Sequence, residues 1–172
     1  MAKKISRREF IRTTAVAGGA AAVFPQTLFS SNENNKVKIG FIGTGLRGQW
    51  MLWLATKYPN VEIPAICDID DGMINAALKI LKDGGKPEPK VYKENDEDFR
   101  NMVKNEDLDG VYLATPWEWH HPMAIAAMKA GIHAGTEVPA ALTVDECWDL
   151  VNTSEKTGKF CMIMENVCYR RD

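Results

Sequence analysis

Three glycines, Gly43, Gly45 and Gly48, followed about twenty residues later by the carboxylate of Asp68, are the part of this 172-residue chain best equipped for chemistry. In the pattern Gly-x-Gly-x-x-Gly the first glycine allows a sharp turn and the second lets the backbone approach a pyrophosphate. The third lets a helix pack closely on the preceding strand. The free N–H groups at the start of that helix point at the phosphates, and the helix dipole favours their charge. A carboxylate at the end of the next strand can accept the ribose hydroxyls of NAD and would repel the 2′-phosphate of NADP. A glycine triplet alone can be no more than a turn. Here the apolar run Val37 to Ile42 leads into it, and a second run ends in Cys67-Asp68-Ile69-Asp70. That context makes a dinucleotide site, with NAD favoured over NADP.

Other polar and aromatic residues gather where further strands should end. Thr115-Pro-Trp-Glu-Trp-His-His121 places Trp117, Glu118, Trp119 and His120 on an expected loop, a set that a core would not demand. A flat aromatic there can bound a nicotinamide or a sugar ring, or simply pack the loop. His120 is a candidate for the cofactor and His121 is unassigned. The two histidines have no further ligands at metal spacing, so no metal site is expected. Glu137 can hydrogen-bond a cofactor or face solvent. Asn166 can bond a carboxamide or cap a turn, and Tyr169 offers a phenol that could act as acid or base if its pKa were lowered.

The elements that must hold these residues alternate strand and helix from Val37 onward. Strands are expected at Val37 to Ile42, Val61 to Asp68, Lys90 to Tyr92, Gly110 to Ala114, His133 to Glu137 and Phe160 to Met164. Helices fall between them. One begins near Leu46 with Trp50, Met51 and Leu54 inward, and one runs from Gly72 to Leu81 with Ile74, Ala77, Leu78 and Leu81 at helical spacing. Others span Glu97 to Lys104 and Pro122 to Ala130, and the last is capped by Thr143 with Glu146 three residues on, a capping box. Six strands joined by helices describe an open, doubly wound parallel sheet, the Rossmann fold, whose ligands sit beyond the carboxyl ends of the strands.

The first thirty or so residues stand apart. A basic opening, Lys3, Lys4, Arg7, Arg8 and Arg12, precedes the small apolar stretch Thr13 to Phe24. That stretch is shorter than the roughly 20 apolar residues a membrane span needs, and it reads as a signal peptide. Ser6-Arg-Arg-Glu-Phe-Ile-Arg12 looks like a twin-arginine export signal, whose cargo crosses the membrane folded and with its nucleotide in place. Residues 1–31 are therefore expected to be signal and linker, 36–165 the nucleotide-binding domain, and 166–172 the start of a connection. The whole chain has 21 basic and 23 acidic residues; leaving out residues 1–31, the rest holds 16 against 22, net −6. That balance argues against nucleic acid or an anionic membrane as partner. Cys67, Cys147, Cys161 and Cys168 show no metal-type or redox spacing, and small buried residues is their expected role.

Taken together, Gly43-Thr-Gly-Leu-Arg-Gly-Gln49, Cys67-Asp68, Thr115-Pro116 with His120, and Glu137-x-Pro139 resemble the Gfo/Idh/MocA family of nucleotide-dependent oxidoreductases. More narrowly, Pro116-Trp-Glu-Trp-His-His121, Glu137-Val138, Glu146-Cys-Trp148 and Glu165-Asn-Val-Cys-Tyr-Arg-Arg-Asp172 resemble glycoside hydrolase family 109, known as α-N-acetylgalactosaminidases with bound NAD. The resemblance implies cofactor contacts at Leu46, Arg47, Asp68, Trp117 to His120, Glu137, Val138 and Asn166. It implies a terminal α-linked N-acetylgalactosamine as the substrate and a homo-oligomer formed through a second α/β domain. It also implies a reaction in which C3 of the sugar is transiently oxidised, the aglycone eliminated, water added and the hydride returned. Sugar dehydrogenases of the wider family usually carry Glu-Lys-Pro, with the lysine as base; Val138 stands in that place and cannot take a proton. Family members continue into that second domain, absent from this chain, so a part inactive by itself is expected. A sugar dehydrogenase and an inactive nucleotide-binding fragment are the alternatives.

Overall fold

A computed structural model describes residues 36–167; the signal segment and Tyr169 lie outside them. Seven strands, all parallel, form one sheet: β1 (Val37–Ile42), β2 (Val61–Glu62), β3 (Ala65–Cys67), β4 (Lys90–Tyr92), β5 (Gly110–Leu113), β6 (His133–Thr136) and β7 (Cys161–Ile163). The order across the sheet is β4-β3-β1-β5-β6-β7, with β2 pairing the start of β1. The expected single strand Val61 to Asp68 is thus two pieces. Pro64 lies between them, and a residue without an N–H cannot serve an interior ladder. Counting β2 and β3 as one, the order is that of a doubly wound dinucleotide-binding sheet, reversing direction at β1.

Among the described residues five helices cover the two faces. α1 (Leu46–Thr56) and α2 (Asp71–Asp83) lie on one side, where Phe41, Leu52, Ile66, Ile74, Ala77, Leu81 and Tyr112 form a buried layer. On the other, α3 (Phe99–Asn105), α4 (Trp117–Lys129) and α5 (Val144–Thr157) close over Phe99, Met102, Leu113, Met123 and Met128. The caps are legible. Asp70 accepts from Met73 N–H at the start of α2, and Thr143 with Glu146 completes the capping box of α5. Gly158, at φ +68°, stops α5 in the left-handed region open to glycine.

Two expectations about packing are corrected. Trp50 does not face inward on α1: it is 56% exposed and stacks on Trp53 outside, while Leu52 takes the buried position. Helix α4 starts at Trp117, five residues before Pro122, so Trp117 to His121 form its first turn instead of a loop. Pro116 sets the entry, and the helix continues past Pro122 because the ring costs it one backbone bond near the N-terminus and leaves the later turns intact.

Register sets the site. Ile42 pairs with Cys67 on one side and Leu113 on the other, Cys67 pairs with Tyr92, Leu113 with Thr136, and Thr136 with Ile163. The strands therefore end level, and Gly43, Asp68, Ala114, Glu137 and Met164 follow along one rim.

Candidate nucleotide site

At the centre of the rim the chain turns through Gly43, whose φ of +89° suits glycine, and enters α1. A Cβ on Gly43 would stand 2.6 Å from the Ala114 backbone, and one on Gly48 would stand 2.1 Å from the Gly43 carbonyl. Both glycines are demanded by protein packing. Gly45 is different: its φ of −62° suits any residue, and nothing lies within 4 Å of where its Cβ would be. The fold leaves that space open, in front of the first N–H groups of α1. This is the approach a pyrophosphate needs.

Beside this turn a cleft of about 250 Å³ runs from Gly43 and Gly45 to Asp68, Ile69 and Met73, with Asn95 and Asp96, Thr115 and Pro116, Trp119 and Met123 around it. Apolar walls with a carboxylate at the rim suit an adenosine, with the ribose at Asp68. The carboxylate is held firmly. Its Oδ2 accepts from the Thr44 N–H at 2.5 Å and the Thr44 hydroxyl at 3.0 Å, and its Oδ1 accepts from the Asp70 N–H at 3.0 Å. Gln49 in turn donates to the Thr44 carbonyl at 2.9 Å.

On the other side of the turn, Arg47 donates through Nε to Glu137 Oε1 at 2.7 Å, and the Tyr112 hydroxyl donates to the same oxygen. Glu137 therefore neither faces free solvent nor stands alone. It ties the first turn of α1 to the end of β6. The hydrogen bond to Glu137 raises the pKa of Arg47, and burial followed by the Glu137 carboxylate raises that of the Tyr112 phenol.

The first turn of α4 distributes its residues unequally. Trp117 and Glu118 are exposed above the rim, whereas Trp119 is half-buried with its ring set edge-on to Phe99 at 6.1 Å. His120 is 1% exposed, with Nδ1 2.7 Å from the Pro139 carbonyl and Nε2 2.9 Å from the Thr115 carbonyl. A neutral ring can donate to one of these and an imidazolium to both. His120 thus joins the loop after β5 to the loop after β6. His121 reaches Asp149 of α5 at 3.0 Å, and His133 accepts from the Phe160 N–H at 3.0 Å and stacks on its ring. Leu46 is exposed on the first turn of α1, Val138 is exposed two residues past β6 in a hollow shared with Pro139 and α5, and Asn166 is exposed just beyond β7. Among the described residues no cluster of His, Cys, Asp and Glu could hold a metal ion, and no helix is long and apolar enough to cross a membrane. Of the cysteines described, Cys67 is buried and Cys161 half-buried, but Cys147 is exposed, because it falls on the outer side of α5.

The sequence reading missed Thr44 and Tyr112. The first is an unremarked x of the glycine pattern, and the second an ordinary aromatic inside a strand; only their partners reveal them.

The family model described as an oxidoreductase family with an NAD-binding Rossmann fold, Gfo/Idh/MocA, matches residues 37–165. The chain belongs to that family. Its domain is NAD-binding, and the open Gly45 space, the α1 N-terminus and the anchored Asp68 fit that cofactor. The chain is 46% identical, over 97% of its length and 39% of the other, to a protein named glycosyl hydrolase family 109 protein in Parabacteroides distasonis. It is 45% identical, over 97% of its length and 40% of the other, to a protein named alpha-N-acetylgalactosaminidase in Tannerella forsythia. It therefore spans about two fifths of the length of these curated relatives. Among solved structures, scyllo-inositol dehydrogenase from Lactobacillus casei with bound NAD(H) superposes with a TM-score of 0.68 at 20% identity, over 79% of this chain and 38% of that one. An NAD-binding protein from Listeria innocua does so with a TM-score of 0.63 at 26% identity, over 77% of this chain and 36% of that one.

Proposed function

We propose that this chain is the NAD-binding part of an exported glycosidase that releases terminal α-linked N-acetylgalactosamine. The observation that carries the reading is Val138. It stands two residues past the end of β6, where a dehydrogenase of the wider family would carry its lysine base, and it presents an exposed isopropyl group there. Such a side chain cannot take the proton of a sugar hydroxyl. The identity to relatives named for glycoside hydrolysis supports the same reading.

Bound NAD supplies reversible hydride acceptance, restored within each cycle, so no external oxidant is consumed. The chain's own residues bind and orient it. Asp68 takes the ribose hydroxyls, Gly45 and the α1 N-terminus admit the pyrophosphate, and Arg47 adds a positive charge steadied by Glu137. The exposed Trp117 and Glu118, with Val138 and Asn166, border the end of the site where a sugar would lie. Tyr169 is proposed as an acid–base group near the substrate. The Ser6 to Arg12 motif supports export by the twin-arginine route, and the remaining sugar contacts and any homo-oligomer are assigned to a second domain of the longer polypeptide.

The test is hydrolysis by the full reading frame of an aryl α-N-acetylgalactosaminide with no NAD added. Release of the aglycone without net NADH is the expected result. Net NADH from a free sugar would instead make the protein a dehydrogenase, and loss of both activities would leave a nucleotide-binding remnant.

A further inference from the structure

We propose that Thr44 sets the preference for NAD over NADP by holding the Asp68 carboxylate in place. The inference rests on the NAD-binding reading of the site. Thr44 is completely buried beneath the glycine turn and spends both of its donors on one oxygen, Asp68 Oδ2, through its N–H at 2.5 Å and its hydroxyl at 3.0 Å. The Asp70 N–H holds Oδ1 at 3.0 Å, and Asp70 is itself tied down as the cap of α2 through Met73 N–H. Two segments of chain thus grip a single carboxylate.

A carboxylate excludes a 2′-phosphate only if it stays where the phosphate would be. On a free aspartate the side chain can rotate away and let the larger nucleotide in at the cost of one rotamer change. With Thr44 in place, rotation would break two hydrogen bonds to a charged acceptor. It would also strand the buried Thr44 hydroxyl without a partner, and bonds to charged groups and buried polar atoms are the costly ones to lose. The donors also occupy Oδ2, so the acceptor capacity left for ribose lies mainly on Oδ1. Thr44 touches no ligand under this arrangement; it is a positioning residue.

The experiment uses the 172-residue chain and calorimetric titration with NAD and with NADP. The wild type is expected to prefer NAD. Thr44→Val keeps the shape and the N–H but removes the hydroxyl, and it should narrow the NAD-to-NADP ratio by about three- to tenfold. Its melting temperature should stay within about 4 °C of wild type. Thr44→Ser restores the donor and should return the wild-type ratio. An unchanged ratio in Thr44→Val, or equal narrowing in the valine and serine variants, would overturn the inference. If the valine variant does not fold, Thr44→Ala against Thr44→Ser makes the same comparison. Wild-type chain that binds neither nucleotide would overturn the NAD reading itself, and the inference with it.

Discussion

Arg47 and Glu137 lie 90 positions apart in the chain, yet Arg47 Nε sits 2.7 Å from Glu137 Oε1 and makes one unit of the glycine turn and the end of β6. Tyr112 donates to the same carboxylate from below. Arg47 is partly exposed, so the ion pair alone is worth little, on the order of 0.2–1 kcal/mol. Its value is in orientation. Glu137→Ala should release the guanidinium and leave the Tyr112 hydroxyl unpartnered. The expected result is about a three- to tenfold rise in the NAD dissociation constant, with a smaller loss of stability, read by calorimetry and urea unfolding.

The glycines separate fold from ligand. Gly43→Ala should destabilise the chain by at least about 2 kcal/mol, because the turn is left-handed there and the backbone of Ala114 blocks the new methyl. Gly45→Val should leave the melting temperature near that of wild type and abolish NAD binding, since only open space receives the new side chain. Equal effects of the two variants on stability would remove Gly45 from the site.

Asp68→Ala should weaken NAD binding by about 10- to 100-fold, the cost of losing hydrogen bonds to a charged group. Calorimetry showing unchanged affinity would sink its assignment to the ribose.

His120 bridges two backbone carbonyls inside the protein. His120→Ala would leave at least one of them without a partner and open a void, and should cost about 2–4 kcal/mol by urea unfolding. His121→Ala, whose partner Asp149 is about half exposed, should cost well under half as much.

Alkaline pH should unfold the chain through two buried acids. Burial pushes the Cys67 thiol up to about 12, and burial with the neighbouring Glu137 raises the Tyr112 phenol. Both are raised in the folded state, so the stability they contribute is complete below their unfolded values, about 8.5 for cysteine and about 10 for tyrosine. It is lost as pH rises toward the folded values, at no more than about 1.4 kcal/mol per pH unit for each group. Urea midpoints measured from pH 8 to 11 should fall, and the fall should be shallower in Cys67→Ala.

Much of this was open to reading in the residues themselves. The apolar run into Gly43 announced β1, and Lys90 to Tyr92 emerged with the expected bounds, because flanking turn residues bracket both. Ile74, Ala77 and Leu81 announced the inner face of α2, and Thr143 with Glu146 announced a capping box. Trp50 misled, since bulk and apolarity suggest burial while the close packing at Gly48 turns the helix so that Leu52 faces the sheet. Pro122 misled as well: a proline reads as a helix start, but Trp117 already begins one. What the sequence could not carry was pairing at a distance. Thr44 with Asp68, and Tyr112 with Glu137 and Arg47, depend on the level strand ends, which come from register and not from any local pattern.

β1 lies between β3 and β5, and the turn that follows it hangs from them as well, through Gly43 N–H to the Cys67 carbonyl and Ala114 N–H to the Ile42 carbonyl. Displacing the start of that turn breaks hydrogen bonds to both neighbouring strands, so the Gly43 and Thr44 amides should exchange slowly, while the free amides at the start of α1 stay open to solvent and ligand. The nucleotide turn is therefore built into the centre of the sheet. Opening of the central strands should remove the site and not merely weaken it, so that nucleotide bound at saturation should fall in step with the folded fraction.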